Sequence, residues 1–252
     1  MLKKIMLITA LMALWAAPAL GQEKDKVYVN GIDANFPPFA FVGPDGQPTG
    51  FDVEALDWIA RKKGFKVEHR PLEWSGIVAS LKAHKIDLIA SGLSITPERA
   101  TQIDFSQPYW TIKQVVVVPK DSQLTLEQAL STGLKIGVQA GTSDAKAMAD
   151  TNGQAGRKYE LVEYPNSALA VQDVLNGRLG AAVMNDAPAA DAAAKTAAKI
   201  IGPAGIPEEV FGVGVAKDDP ATLELINEGL ALLMADPYWS ELIAKYKPGE
   251  VH

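Results

Sequence analysis

The sequence predicts an α/β protein with largely parallel sheets. Short apolar runs alternate along the chain with segments in which apolar residues recur at helical spacing, the rhythm of strand–helix–strand units. At 252 residues, the length allows one large domain or two small ones.

The first element lies outside that fold. Lys3 and Lys4 form a charged start, Ile5 to Ala17 an apolar core, and Ala19-Leu20-Gly21 a stretch of small residues suited to cleavage. These are the parts of a secretory signal peptide, 1–21, too short and wrongly flanked to remain as a membrane span. Its removal leaves residues 22–252. Val27 to Val29 then predicts a strand, and Val53, Leu56 and Ile59/Ala60 a helix. Phe65 to His69 alternates like a strand, Ile77, Val78 and Leu81 share a helical face, and Asp87 to Ala90 ends the unit in an apolar run.

The second half repeats the pattern. Lys135 to Val138 predicts a strand and Thr142 to Ala149 a helix. Val171, Val174 and Leu175 mark a helix ending at Gly177. Leu179 to Met184 is a buried strand, Asp186 opens an alanine-rich helix, and Val213 to Ala216 is a late strand. Helices near 220–234 and 237–246 close the chain. Gln114 to Pro119 is a β-branched run of the kind that could pass between two lobes, and Gly202 to Pro207 marks a second passage ahead of Val210-Phe211.

Composition excludes several classes of function. There is no cysteine, hence no disulfide framework, thiol nucleophile, zinc–thiolate site or lipid-bearing cysteine near the cleavage point. The three histidines are scattered without metal-ligand spacing. Formal charge is −6; without Lys3 and Lys4 it is −8, the opposite of what a nucleic-acid surface needs. The Gly-x-Ser-x-Gly elbow and the phosphate-binding Gly-x-x-x-x-Gly-Lys loop are both missing.

Four loops follow predicted strands, where ligands of open α/β sheets bind. They are Asp33-Ala34-Asn35-Phe36-Pro37-Pro38-Phe39, the Ser91–Arg99 stretch, Gln139-Ala140-Gly141-Thr142-Ser143-Asp144, and Asn185-Asp186. Within the second, Thr96-Pro97-Glu98 reads as a helix start, so Arg99 is a cation where the helix dipole favours anions. Aimed inward, its planar fork suits a carboxylate, with Ser91 and Ser94 as small donors and Gly92 permitting close approach of a ligand to the backbone. Gly141-Thr142-Ser143 opens a helix whose free N–H groups attract an anion, although ordinary N-capping is the default account of these residues. Asp186 can cap its helix, accept from a ligand ammonium, or do both. Turn chemistry is the default account of Asp33, and core packing that of Phe36. Trp74, beside Ser75-Gly76 at a helix start, is the aromatic best placed to form a pocket wall.

These segments resemble the bacterial periplasmic amino-acid-binding proteins of ATP-binding-cassette importers, the polar amino-acid group of solute-binding protein family 3. The likeness rests on Asp33-Ala34-Asn35-Phe36-Pro37-Pro38-Phe39, Gly50-Phe51-Asp52-Val53, Ser94-Ile95-Thr96-x-x-Arg99 with Ile103-Asp104-Phe105-Ser106, Val138-Gln139-Ala140-Gly141-Thr142, Asn185-Asp186 and Asp236-Pro237-Tyr238-Trp239, in that order along nearly the whole mature chain. It implies the two-lobed periplasmic-binding-protein fold, each lobe a mostly parallel sheet flanked by helices. Lobe 1 would comprise 22–108 and 212–252, lobe 2 114–206, and the hinge segments 109–113 and 207–211. On the same pattern Arg99 binds the ligand α-carboxylate, helped by Ser94, Thr142 and Ser143. Asp186 holds the α-ammonium with help from Ser91 and Gly92, Phe36 and Trp74 flank the side chain, and Asp33, Gln139 and Asn185 line the specificity end.

The implied protein is a monomeric, periplasmic, non-enzymatic carrier that needs no cofactor or metal. Its partners are an amino acid and the membrane permease of an importer. Asp33, Arg99 and Asp186 sum to −1, so a zwitterion would leave Asp33 unpaired in a closed site; a basic side chain, of arginine or lysine type, would neutralise it. Glutamine or another polar neutral amino acid is the alternative. Some relatives place a lysine where this chain has Gln139, and that departure also favours a basic ligand. A dehydratase on the same scaffold is the alternative of another class, with Asp33 as its only obvious spare carboxylate. A soluble adaptor that docks to a receptor is a further one.

Overall fold

The computed structural model describes residues 26–246, so the signal segment expected at 1–21 lies outside the described residues. Among the described residues no helix is long and apolar enough to cross a membrane. The chain forms two α/β lobes. The first is built on a sheet ordered Lys66–Pro71, Val27–Ile32, Leu88–Ile89, Gly214–Val215, Asp104–Phe105. The second is ordered Tyr159–Tyr164, Leu134–Gln139, Ala181–Asn185, Gln114–Pro119, Ala198–Pro203. In each sheet one strand, Gly214–Val215 or Gln114–Pro119, runs antiparallel to both neighbours, and the other four share one direction.

Both sheets are covered on both faces. Leu88 joins the core beneath the helices Phe51–Lys63, Pro220–Ala235 and Pro237–Tyr246, whereas its neighbour Ile89 faces Ile77 and Leu81 of the helix Ile77–Lys82. In the second lobe Val116 and Val118 face the helices Leu126–Ser131 and Ser143–Thr151; Val115 and Val117 face Ser167–Leu175 and Asp186–Lys195. The alternation follows from the two-residue period of a strand.

That burial corrects one expectation. Gln114–Pro119 does not pass between lobes, because Val115 to Val118 are buried on both sides, and such a run belongs inside a sheet. The passages are the short strands just before it and just after Gly202 to Pro207. Trp110–Ile112 pairs antiparallel with Glu209–Phe211 as a separate two-stranded ribbon. The strands Tyr159–Tyr164 and Ala198–Pro203 were not anticipated. Both are edge strands with mixed polar composition, the second ending in proline, and edges need less apolar sequence than central strands.

Gly50 ties the first binding loop to the fold. It precedes the helix Phe51–Lys63 with φ of 127°, and a Cβ there would collide with the carbonyl of Phe39. The helix's first amides, of Phe51 and Asp52, donate to Pro38 O and Phe39 O at 2.9 and 3.0 Å, anchoring the Asp33–Phe39 loop. Gly50→Ala combines a disfavoured φ with that collision and is expected to cost about 2 kcal/mol or more. Scanning calorimetry should show the unfolding midpoint lowered by roughly 4–8 °C; an unchanged midpoint would contradict the packing described.

Candidate functional site

The carboxyl ends of four strands meet where the two lobes face each other. Val27–Ile32 delivers Asp33 and Leu88–Ile89 delivers Ser91, Gly92 and Ser94. Leu134–Gln139 delivers Gln139 ahead of Thr142 and Ser143, and Ala181–Asn185 ends in Asn185. Together with Phe36, Trp74, Arg99 and Asp144 these residues line one cavity of about 280 Å³, counted to its mouth. That is small for a ligand pocket and suits one small molecule rather than a peptide.

Arg99 lies in the helix Pro97–Ala100. Thr96 caps it through Oγ1, which accepts from Arg99 N at 3.1 Å, and Pro97 occupies the first turn. The guanidinium is buried yet well supported. Nη1 donates to Ser94 O in its own lobe at 3.0 Å, Nη2 donates to Gly141 O across the cleft at 3.1 Å, and Cζ sits 5.6 Å from the centre of the Trp74 ring. A guanidinium has five N–H donors, so three remain for a ligand. Burial pulls its pKa down, and the charges of Glu209, Asp144 and Glu98 oppose that fall.

Gly141 packs so closely on the first lobe that a Cβ would lie 2.8 Å from Ser75 Cα. A second polar contact also crosses between lobes. Gln139 Nε2 donates to Asp33 Oδ2 at 2.6 Å, while Asp33 Oδ1 accepts from Asn35 N at 2.9 Å. Asp33 therefore has hydrogen-bond partners, both of them neutral. Burial still raises its pKa, with the bonds from Gln139 and Asn35 pulling the other way. Ser91 Oγ accepts from Asp33 N at 3.0 Å, Thr142 Oγ1 donates to Gln139 O at 2.6 Å, and Ser143 Oγ donates to Glu209 Oε2 at 2.6 Å.

Eleven of the twelve residues expected at the site line this cavity; Asp186 does not. It opens the helix Asp186–Lys195, where its Oδ1 accepts from Ala187 N at 2.9 Å. Its buried carboxyl is raised in pKa by desolvation, against the pull of backbone N–H groups and Lys113. Asp144, which the sequence reading missed as a site residue, does line the cavity. An acid in the first turn of a helix has an ordinary dipole explanation, and only the fold shows that this one lines the same cavity as Arg99. Trp74 Nε1 and Asn185 Nδ2 are buried donors without a partner. No group of three or more His, Cys, Asp or Glu among the described residues could hold a metal ion.

Residues 28–249 match the profile of the bacterial extracellular solute-binding proteins, family 3. The chain belongs to this family. A "Probable histidine-binding protein" of Neisseria gonorrhoeae is 30% identical to it over 234 residues, 92% of this chain and 86% of that one. The "L-arginine-binding protein" of Pseudomonas aeruginosa is 31% identical over 261 residues, 100% of this chain and 99% of that one. The crystal structure of the ancestral amino acid-binding protein AncCDT-1, described as a precursor of cyclohexadienyl dehydratase, is similar with a TM-score of 0.79 and 33% identity, covering 87% of this chain and 95% of that one.

In this family-3 protein the serine-rich loop is braced from behind by Asp52, whose Oδ2 accepts from Gly92 N at 2.6 Å and from Tyr109 Oη at 2.8 Å. One carboxylate oxygen thus ties the loop to Tyr109, one residue before the strand Trp110–Ile112. Complete burial pushes the Asp52 carboxyl up to about 7 against the pull of both hydrogen bonds. The folded state therefore holds a proton that the unfolded chain releases near pH 4. That contribution is full below pH 4 and is lost as pH rises through 7. An asparagine at this position would keep an oxygen for both donors and lose the titration. Asp52→Asn is thus expected to flatten the fall in stability between pH 4 and 7, measured by urea unfolding; parallel wild-type and variant profiles would contradict it.

Proposed function

We propose that the protein captures an amino acid with a cationic side chain by closing its lobes, and delivers it in the periplasm to the permease of an ATP-binding-cassette importer. The observation that carries this reading is the charge pattern of one cavity lined from both lobes, a buried arginine with spare donors set beside buried carboxylates. Arg99, with the amides that start the Ser143–Thr151 helix, takes the ligand carboxylate, as such helix ends do. Asp186, one residue beyond the lining Asn185, takes the α-ammonium. Asp33 takes the side-chain cation, which replaces the Gln139 donor. An amide ligand would leave Asp33 with a neutral partner for a buried charge, the weaker arrangement. The names of the histidine- and arginine-binding relatives support the basic class.

The lobe boundaries 22–108 with 212–252, and 114–206, belong to this proposal, with pivoting at 109–113 and 207–211. The sheet memberships and the Trp110–Ile112 and Glu209–Phe211 ribbon support it. The protein acts as a monomeric carrier and not as an enzyme. AncCDT-1 is itself described as amino-acid-binding, and in this chain Asp33 is engaged with Gln139 and Asn35. Product formation from a cyclohexadienyl acid, lost in Asp33→Asn, would favour the dehydratase instead.

A thermal-shift screen over the twenty amino acids tests the reading. Arginine or lysine at 100 times its Kd should add about 2.7 kcal/mol, a rise of roughly 5–11 °C. Arg99→Ala should abolish the shift. A response to glutamine without arginine or lysine would overturn the ligand class, and no response to any amino acid would overturn the binding role.

A further inference from the structure

Asp144 is a charge that the proposed ligand leaves without a partner. Arg99 meets the carboxylate, Asp186 the ammonium and Asp33 the side-chain cation, and each pair is neutral. Asp144 lines the same cavity, is 4% exposed, and lies close enough to Arg99 and Glu209 for each to act on its titration. Among the described residues Arg99 and Asp144 form no direct ion pair, so a ligand carboxylate has access to the guanidinium. Its arrival puts a second anion on one buried cation. Two carboxylates in such a site do not both stay ionised.

The hydrogen-bond inventory leads to the same conclusion. The Thr142 hydroxyl and the backbone N–H of Asp144 itself are the hydrogen-bonding groups that act on the Asp144 carboxyl. That hydroxyl has one proton, donated to Gln139 O at 2.6 Å, and it accepts from Ala145 N at 3.2 Å. With that proton engaged the hydroxyl offers Asp144 only a lone pair, which a protonated carboxyl can use, and the backbone N–H is left as the one donor for a carboxylate.

We propose that Asp144 is the proton-bearing member of the carboxylate site, neutral in the complex, so that seating the ligand carboxylate on Arg99 takes up one proton from solution. This rests on the carboxylate role proposed for Arg99. In the free protein burial pushes the Asp144 carboxyl up to about 6, with Arg99 lowering it and Glu209 raising it. The other charges around it are Glu98 on the arginine's helix, Lys146 and Asp150 paired with each other on its own helix, Asp33 across the cavity, and Asp52 behind Gly92. Asp33 releases protons when it meets a cation, the opposite sign, so the assignment needs a difference between two proteins.

Calorimetric titration with L-arginine at pH 7, in two buffers of different ionisation enthalpy, counts protons exchanged per ligand bound. Lysine or glutamine serves as titrant if arginine does not bind. Wild type should take up about 0.9 proton more than Asp144→Asn, and the ratio of its Kd to that of the variant should rise up to about tenfold per pH unit above 6. Asp144→Ser, which keeps a helix-start residue, should match Asp144→Asn and guards against a folding defect in one variant. Equal proton counts in wild type and both variants overturn the proposal while leaving the binding role intact. If no amino acid binds even at pH 5.5, the binding role itself fails, and this proposal with it.

Discussion

A buried guanidinium is the constraint on which the rest depends. Removing Arg99 from water costs several kcal/mol unless its N–H groups find acceptors and its charge finds compensation. The protein supplies one acceptor from each lobe, Ser94 O and Gly141 O, so the two lobes must come together around this side chain. The remaining donors are left for a ligand. The cation proposed to anchor the ligand is thereby also a fastening between the lobes.

Everything near it serves that geometry. The Thr96 cap and Pro97 fix the short helix that aims Arg99, and Trp74 covers the guanidinium. Asp52 holds Gly92 from behind and joins it to Tyr109, one residue before the ribbon between the lobes. Ser143 reaches Glu209 on the returning strand of that ribbon. The site is thus connected to both passages between lobes by hydrogen bonds of buried or half-buried groups. Hydrogen bonds of this kind can be made or broken as a unit, as a closing clamp needs.

Much of this was legible in the sequence. The helices and central strands announced themselves because periodicity reports burial, and the loops could be found because strand ends are where α/β ligands bind. The reading failed where a residue has one local meaning and another in three dimensions. Gln114–Pro119 looked like a passage until its four valines proved to be covered on both faces. Tyr159–Tyr164 was missed because an edge strand needs little apolar sequence. Asp186 and Asp144 both lie in the first turn of a helix, and nothing in their spacing shows that Asp144 lines the cavity while Asp186 stands just outside its lining, one oxygen on its own backbone. The Gln139–Asp33 contact joins residues 106 positions apart and is visible only in the fold.

The central claim is that a ligand carboxylate on Arg99 holds the lobes together. The absence of cysteine makes a pair of spin labels straightforward, at Ala83→Cys in the first lobe and Ala149→Cys in the second, both exposed. Pulsed electron–electron distance measurement should give a broad distribution without ligand and a single shorter one with saturating arginine. The same labels in an Arg99→Ala background should stay broad. Bound arginine that leaves the distribution unchanged, or narrowing that persists without Arg99, would contradict the account.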